Sequence, residues 1–212
     1  MKKSERANRV VDIFDKIYPD VKCTLNYSNP LEMLIATQLS AQCTDARVNI
    51  VTDSLFKKYR CAEDFARADR VELENDIRSA GFYRNKAKNI IACCQRLIDV
   101  YDGKVPDTME DLLTLPGTGR KTANLVLGDV YKQPAVVVDT HCIRLSNRIG
   151  LVNSEDPVKI EYDLKKLIPP QRQLKLCHQL VHHGRVRCNA RKPDCENCEI
   201  KEYCKYFGLK SK

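Results

Sequence analysis

The sequence lacks the features that mark a membrane or secreted protein. The 212-residue chain contains no run of eighteen apolar residues, so no segment is long and apolar enough to cross a bilayer as a helix. Residues Met1–Arg6 lead into a charged amphipathic segment without an apolar signal core. We therefore expect neither a membrane anchor nor export, and we predict a cytoplasmic protein.

Strand patterns, internal repeats, low-complexity tracts and long Gly/Ser linkers are also missing. Apolar residues instead recur at helical spacing from end to end, which predicts an all-α fold in which any two domains are tightly joined. The single run that resembles a strand, Ala135–Val138, is short and isolated. We interpret it as a buried connector.

Several predicted helices have recognisable ends. Ser4 and Asn29 are candidate N-caps, and Asn29 is followed by proline, which suits the first helical turn. A further helix is expected to follow Thr44. A long helix through Ile90 and Leu97 is expected to close near Gly103. Three more are predicted over residues 108–113, 122–129 and 141–149.

The charge and the cysteines indicate an intracellular protein with a polyanionic partner. Thirty-six basic against twenty-eight acidic residues give a net charge of +8, which favours a partner such as a nucleic acid. The eleven cysteines are odd in number, and Cys93 and Cys94 are adjacent. Without an export signal, these facts favour a reducing compartment over a disulfide framework.

Four cysteines near the C-terminus, Cys188, Cys195, Cys198 and Cys204, are separated by six, two and five residues. Four thiolates in so short a stretch can close around one metal centre. The spacing is that of neither a common zinc finger nor the usual ferredoxin run. The alternative is four unrelated reduced cysteines.

The segment Leu115–Lys121 predicts a hairpin between two helices. Gly117 and Gly119 allow positive φ angles and let the backbone approach another molecule closely. The free N–H groups at the start of the second helix would then form an anion site suited to a DNA phosphate. The alternative is an ordinary glycine-rich turn between helices.

Lys121 and Asp139 are the candidate catalytic residues. Lys121 lies in the first turn of the second helix, where the helix dipole, Arg120 and partial burial would disfavour a protonated amine, as a nucleophile requires. The alternative is a lysine that contacts phosphate. Asp139 follows an apolar run and suits a helix cap, a catalytic carboxylate or both. We expect His141 to be structural or to face phosphate.

These motifs resemble those of the endonuclease III family of DNA-repair glycosylase/lyases. The resemblance is carried by the four cysteines and by four segments in the family's order and spacing, Leu39–Asp45, Gly81–Ile90, Leu115–Asn124 and Val138–His141. It therefore spans nearly the whole chain.

The resemblance implies two helical domains. Residues 23–133 would form a six-helix domain carrying the hairpin, and residues 1–22 with 134–212 would form a helical domain around a [4Fe–4S] cluster. We expect the four cysteines to bind that cluster. It would hold the loop Asn189–Asp194 so that Arg191 and Lys192 meet phosphates.

The resemblance also implies an activity on double-stranded DNA with damaged pyrimidines or abasic sites. Lys121 matches the family's nucleophile, which displaces an oxidised pyrimidine, forms a Schiff base and nicks the strand by β-elimination. Asp139 matches its catalytic carboxylate, and Gln42 matches the residue that fills the vacated stack. Phe82 stands where the family usually has a leucine wedge. We expect a monomer.

Two related branches of the family do not fit these residues, and two other classes of protein are the alternatives. The adenine-removing branch of the family lacks the lysine and has a glutamate where this chain has Thr37, and the oxidised-guanine branch generally lacks the cluster. A non-catalytic DNA-binding protein would use the same hairpin and basic surface. An electron-transfer protein would need the cluster but not the hairpin.

Overall fold

A computed structural model describes residues 1–210 of the chain, and these residues contain helices but no β-strand. The prediction of an all-α fold is therefore confirmed. The α-helices are α1 Lys3–Ile17, α2 Pro30–Leu39, α3 Asp45–Lys58, α4 Ala62–Ala66, α5 Arg70–Asp76, α6 Tyr83–Tyr101, α7 Met109–Leu113, α8 Arg120–Asp129, α9 Thr140–Ile149, α10 Pro157–Leu167, α11 Pro170–Val186 and α12 Lys205–Lys210. Short 3₁₀ helices span Arg78–Ala80 and Lys201–Tyr203.

Side-chain caps fix most of the predicted helix starts. Asn29 accepts a hydrogen bond from the N–H of Glu32, and Thr44 accepts one from Arg47. The prediction of Ser4 as a cap is wrong, because the N–H of Arg6 already donates to the carbonyl of Lys2 and α1 begins before the serine. Residues 135–138 form an irregular, mostly buried connector, as predicted.

Residues 24–133 form one compact unit, called here the hairpin unit. It contains seven α-helices, α2 to α8, where six were expected; α4, α5 and α7 have only five to seven residues. Helix α8 is buried from Thr122 to Asp129 and packs against α2 and α7. The core around it includes Met33, Leu34 and Leu112.

Residues 1–23 and 134–212 form the second compact unit, called here the cysteine unit. Cys23, which the resemblance placed with the hairpin, falls in this unit. Its α1 packs against α10 and α11, and α9 packs against α11 and α12. Phe14 and Leu145 are completely buried.

Within the described part of the chain, no helix has the length and apolar character needed to cross a membrane. None of the eleven cysteines, all of which lie in the described part of the chain, forms a disulfide bond.

Candidate functional site

The predicted hairpin is a tight turn that is closed by a backbone hydrogen bond. The N–H of Thr118 donates to the carbonyl of Leu115 over 3.1 Å, with Pro116 and Gly117 between them. Gly117 has φ +76°, which is the geometry of a type II turn with proline first and glycine second. A Cβ atom on Gly117 would lie 2.9 Å from Cβ of Asn89, so both conformation and space require glycine.

Gly119 plays a different part from Gly117. Its φ is −99°, so of the two glycines only Gly117 uses the positive φ that glycine allows, and nothing lies within 4 Å of the position of a Cβ atom on Gly119. Gly119 is the N-cap of α8, and the first helical bond runs from the N–H of Ala123 to its carbonyl over 2.9 Å. Without a capping side chain from Gly119, the first turn presents N–H groups suited to an external anion.

Lys121 is the second residue of α8, so it lies in the first turn as predicted. It is exposed, and the expected partial burial is therefore wrong. The helix begins at Arg120, two residues earlier than predicted, so Lys121 directly follows its first residue. The side chain is accessible to a substrate.

Gln38 supports the hairpin from beneath and was missed by the sequence analysis. Its amide nitrogen donates to the carbonyl of Pro116 over 3.1 Å and to the hydroxyl of Thr118 over 3.3 Å. Gln38 is buried in α2, where the other buried residues except Thr37 are apolar, and a glutamine within this apolar run was the available signal. The neighbouring Thr37 is buried, and its hydroxyl donates to the carbonyl of Met33.

Gln42 and Phe82 lie together in the hairpin unit. Both line an open pocket that also includes Gly117. Both have left-handed backbones, with φ of 53° and 47°, although neither is a glycine. The side chain of Phe82 is 61% exposed, which is unusual for so large an apolar group.

Asp139 caps α9 in the cysteine unit. Its Oδ1 accepts a hydrogen bond of 2.7 Å from the N–H of Cys142, which confirms the predicted cap. His141 is engaged by its own unit, because its Nδ1 lies 3.1 Å from Nη2 of Arg144. A Cβ atom on Gly184 would lie 2.5 Å from the same Nδ1, so the imidazole packs directly against that glycine.

The four predicted ligands, Cys188, Cys195, Cys198 and Cys204, line a single cavity. The structure therefore brings them together, and its other lining residues include Leu145, Ile149 and Ile200. A short turn connects two of the cysteines, since the N–H of Cys198 donates to the carbonyl of Cys195. The donor set of four sulfur atoms in an apolar surround suits an iron–sulfur cluster.

In the part of the chain that the structure describes, no three His, Cys, Asp or Glu side chains are grouped closely enough to hold a single metal ion. Burial raises the pKa of Cys198 to about 11 and also raises that of Cys204. Bound metal would supply the positive charge that thiolates need in this cavity.

Arginine side chains shape the loop Asn189–Asp194. Arg148 donates to the carbonyls of Asn189 and Ala190 over 2.8 and 2.7 Å, and its Nη1 lies 3.3 Å from Sγ of Cys188. At the other end, Arg187 pairs with Asp194. Arg191 and Lys192 are exposed between these anchors.

Comparison with known proteins gives consistent matches. Residues 35–170 match the family model described as HhH-GPD superfamily base excision DNA repair protein. The chain is 49% identical to the endonuclease III of Synechocystis sp. over 203 residues, covering 95% of this chain and 93% of that protein. It is 42% identical to the endonuclease III of Bacillus subtilis, covering 92% and 90%.

Two solved structures match the whole chain. The first is titled as a non-covalent endonuclease III–DNA complex, with a TM-score of 0.94, 42% identity, and coverage of 100% of this chain and 99% of that one. The second is titled as a trapped endonuclease III–DNA covalent intermediate, an estranged-adenine complex, with the same TM-score and identity and full coverage of both chains.

Proposed function

The chain belongs to the HhH-GPD superfamily of base excision DNA repair proteins, and we propose that it removes oxidised pyrimidines with Lys121 as nucleophile and Asp139 as catalytic carboxylate. It is a DNA glycosylase with lyase activity on the resulting abasic site. Relatives named endonuclease III across nearly the full chain length support this assignment, as does the likeness to a trapped covalent intermediate on DNA.

One observation carries the proposal for Lys121. An exposed lysine stands in the first turn of a helix whose N-cap has no side chain, directly after a type II turn. A DNA phosphate bound by the backbone N–H groups of this helix start would place the sugar within reach of the lysine. At Gly119 nothing lies within 4 Å of the position of a Cβ atom, so the approach to the helix start is open there.

The chemistry runs in two stages. The neutral Nζ of Lys121 attacks C1′ of the damaged nucleotide, and the bond from C1′ to the base breaks so that the base leaves with the bonding electrons and gains a proton. The sugar then opens to a Schiff base on Nζ. Loss of a C2′ proton expels the 3′ phosphate by β-elimination, which nicks the strand.

Asp139 is proposed to assist departure of the base. Its carboxylate would stabilise positive charge that develops on the sugar, while one of its oxygens continues to cap α9. The two roles are compatible, because a carboxylate has a second oxygen and further lone pairs available.

We propose that Cys188, Cys195, Cys198 and Cys204 bind a [4Fe–4S] cluster. When bound, the cluster supplies positive charge to buried thiolates and a rigid anchor for the loop between Cys188 and Cys195. Arg191 and Lys192 then contact phosphates of the duplex, and His141 supports the same unit. The protein acts as a cytoplasmic monomer on double-stranded DNA.

Gln42 and Phe82 are proposed to stabilise the extruded nucleotide from within the duplex. An apolar wedge offsets the loss of stacking, which costs a few kcal/mol per base step. The exposure of Phe82 and the pocket that it shares with Gln42 support this role.

Borohydride trapping on a duplex with one thymine glycol tests the central claim. Lys121→Gln should abolish the trapped adduct and the nick while leaving duplex binding largely intact. Lys57→Gln is the matched control, because Lys57 is an exposed lysine paired with Asp53. If Lys121→Gln still forms the adduct and only binds more weakly, by about one counterion's worth of salt dependence, the lysine is a phosphate contact.

A second variant tests Asp139. Asp139→Asn keeps a side-chain acceptor for the N–H of Cys142, so folding should survive, but it removes the negative charge. Turnover should fall by ~10²–10⁴-fold, the range of one well-placed catalytic group. Turnover close to that of the wild type would show that Asp139 acts only as a helix cap.

A further inference from the structure

Lys86 is a buried lysine that the proposed mechanism does not use. It lies in the first turn of α6 and is only 6% exposed. Lysine is almost never this buried without specific partners, because removing an ammonium from water is strongly unfavourable. Burial lowers its pKa.

The ammonium group is held by two backbone carbonyls. Nζ of Lys86 donates to the carbonyl of Leu39 and to the carbonyl of Ala80, each over 2.8 Å. Leu39 is the last residue of α2, and Ala80 is the last residue of the 3₁₀ helix Arg78–Ala80. A single cation therefore caps the negative ends of two helices, where carbonyls lack partners within the helix.

Two or three residues after each of these carbonyls, the chain contains a residue with a strained backbone. Gln42 comes three residues after Leu39, and Phe82 comes two residues after Ala80. Both have positive φ without being glycine, a conformation that persists only where the surroundings impose it. Lys86 lines the same pocket as these two side chains.

We infer that Lys86 is a positioning residue that holds Gln42 and Phe82 in the arrangement needed to keep the damaged nucleotide out of the duplex. It acts by joining the end of α2 to the end of the 3₁₀ helix, so the two loops that carry these residues move as one body. This inference rests on the proposed function, since it assigns Gln42 and Phe82 to the extruded state.

The test compares two substrates that differ in the need for extrusion. One is a fully paired duplex with thymine glycol opposite adenine, and the other is a pre-formed abasic site in an unpaired bulge. Lys86→Met keeps the length of the side chain but removes the charge and both hydrogen bonds. Single-turnover base excision on the paired duplex should fall by at least about tenfold, while lyase cleavage of the bulged site stays within about twofold.

Lys58→Met is the matched control. Lys58 also lies in the hairpin unit and pairs with two carboxylates, those of Glu72 and Asp76, so the variant removes the same charge and two polar contacts elsewhere. It should process both substrates at nearly the wild-type rate. A selective loss on the paired duplex in Lys58→Met would overturn the inference, because the effect would then belong to any lysine of the unit.

A double-mutant cycle tests whether Lys86 acts through the wedge. If it does, Lys86→Met should add little to the loss already caused by Phe82→Ala on the paired duplex. Losses that multiply, or equal losses on both substrates, would overturn the inference and leave Lys86 as a contributor to stability alone.

A further variant keeps the inference testable if the Lys86→Met protein does not fold. If denaturant unfolding shows that Lys86→Met is not folded, Lys86→Arg replaces it, because the guanidinium keeps the charge but cannot place one nitrogen between both carbonyls. The same selective loss is expected, and equal rates on both substrates relative to the wild type would contradict it. A wild-type protein that forms no borohydride adduct would instead refute the proposed function, which keeps the two failures distinct.

Discussion

The turn at residues 115–121 is held by protein groups alone, whereas the segment at residues 188–204 surrounds a cavity lined by four thiols. In the turn, a Pro–Gly pair sets the backbone, a buried glutamine ties it to α2, and close packing against Asn89 excludes a side chain. In the cysteine segment, order comes from short turns, from the bonds of Arg148 to the carbonyls of Asn189 and Ala190, and from ion pairs of Arg187 with Asp194 and Glu199.

The turn and the cysteine segment are both proposed to contact DNA phosphates, but different interactions keep each of them ordered. Packing against the core of the hairpin unit sets the shape of the turn. Replacing one side chain should therefore change the stability of the turn by only a small amount. The cysteine segment is expected to depend in addition on a metal centre, because metal that binds only the folded segment contributes folding free energy directly. The following variants test this contrast in order of decreasing effect on local stability.

Loss of a cysteine ligand should have the largest effect. Cys198→Ala should reduce the iron content from about four atoms per chain, remove the brown colour and expose residues 188–204 to proteolysis. Amide exchange in α8 should stay slow, because the hairpin unit has its own core. A colourless wild-type protein that contains one zinc ion would contradict the proposal that an iron–sulfur cluster orders the cysteine segment.

Gly117→Ala should disturb the turn by a smaller amount. The added methyl group would meet Cβ of Asn89 at 2.9 Å in a backbone with φ +76°. We expect the free energy of unfolding to fall by about 1–3 kcal/mol, as for other residues forced into this region, and binding to weaken on damaged and undamaged duplex alike.

Gly119→Ala provides the stability control for that variant, since its backbone is not left-handed and the space around it is open. Its loss, measured by urea unfolding, should be well below that of Gly117→Ala. Equal losses for the two variants would show that packing against Asn89 does not set the turn.

Gln38→Leu should loosen the turn still less. It removes the hydrogen bonds to Pro116 and Thr118 but keeps an apolar volume in α2. A net loss of about 1 kcal/mol is typical for such a change. Hydrogen exchange at the N–H of Thr118 should become faster, while exchange at the N–H of Asn124 in α8 should not change. Unchanged exchange at Thr118 would show that Gln38 does not stabilise the turn.

The exposed cations of the cysteine segment should leave stability unchanged. Changing both Arg191 and Lys192 to alanine should preserve the unfolding midpoint, because neither side chain is buried. Binding to damaged and undamaged duplex should weaken together, and the slope of affinity against salt should fall by up to about two counterions. An effect confined to damaged DNA would assign this loop a different role.

Local sequence signals predicted the parts of the molecule whose physics is local. Asn29, Thr44 and Asp139 cap helices because their short polar side chains reach the N–H three residues ahead. Ser4 failed as a cap because the backbone at Lys2 had already begun the helix. The left-handed backbones of Gln42 and Phe82 carried no local signal, since neither residue favours that conformation by itself.

By itself the sequence determined an all-helical chain, a turn that needs Pro116 and Gly117, and a set of four cysteines that can share one centre. These follow from periodicity, backbone freedom and ligand chemistry, which depend on neighbours in the chain. Only the tertiary structure decided that Lys121 is exposed, that Gln38 supports the turn, and that Lys86 joins the carbonyls of Leu39 and Ala80. Leu39 and Lys86 are 47 residues apart, and no periodicity encodes a contact between a side chain and a backbone over that separation.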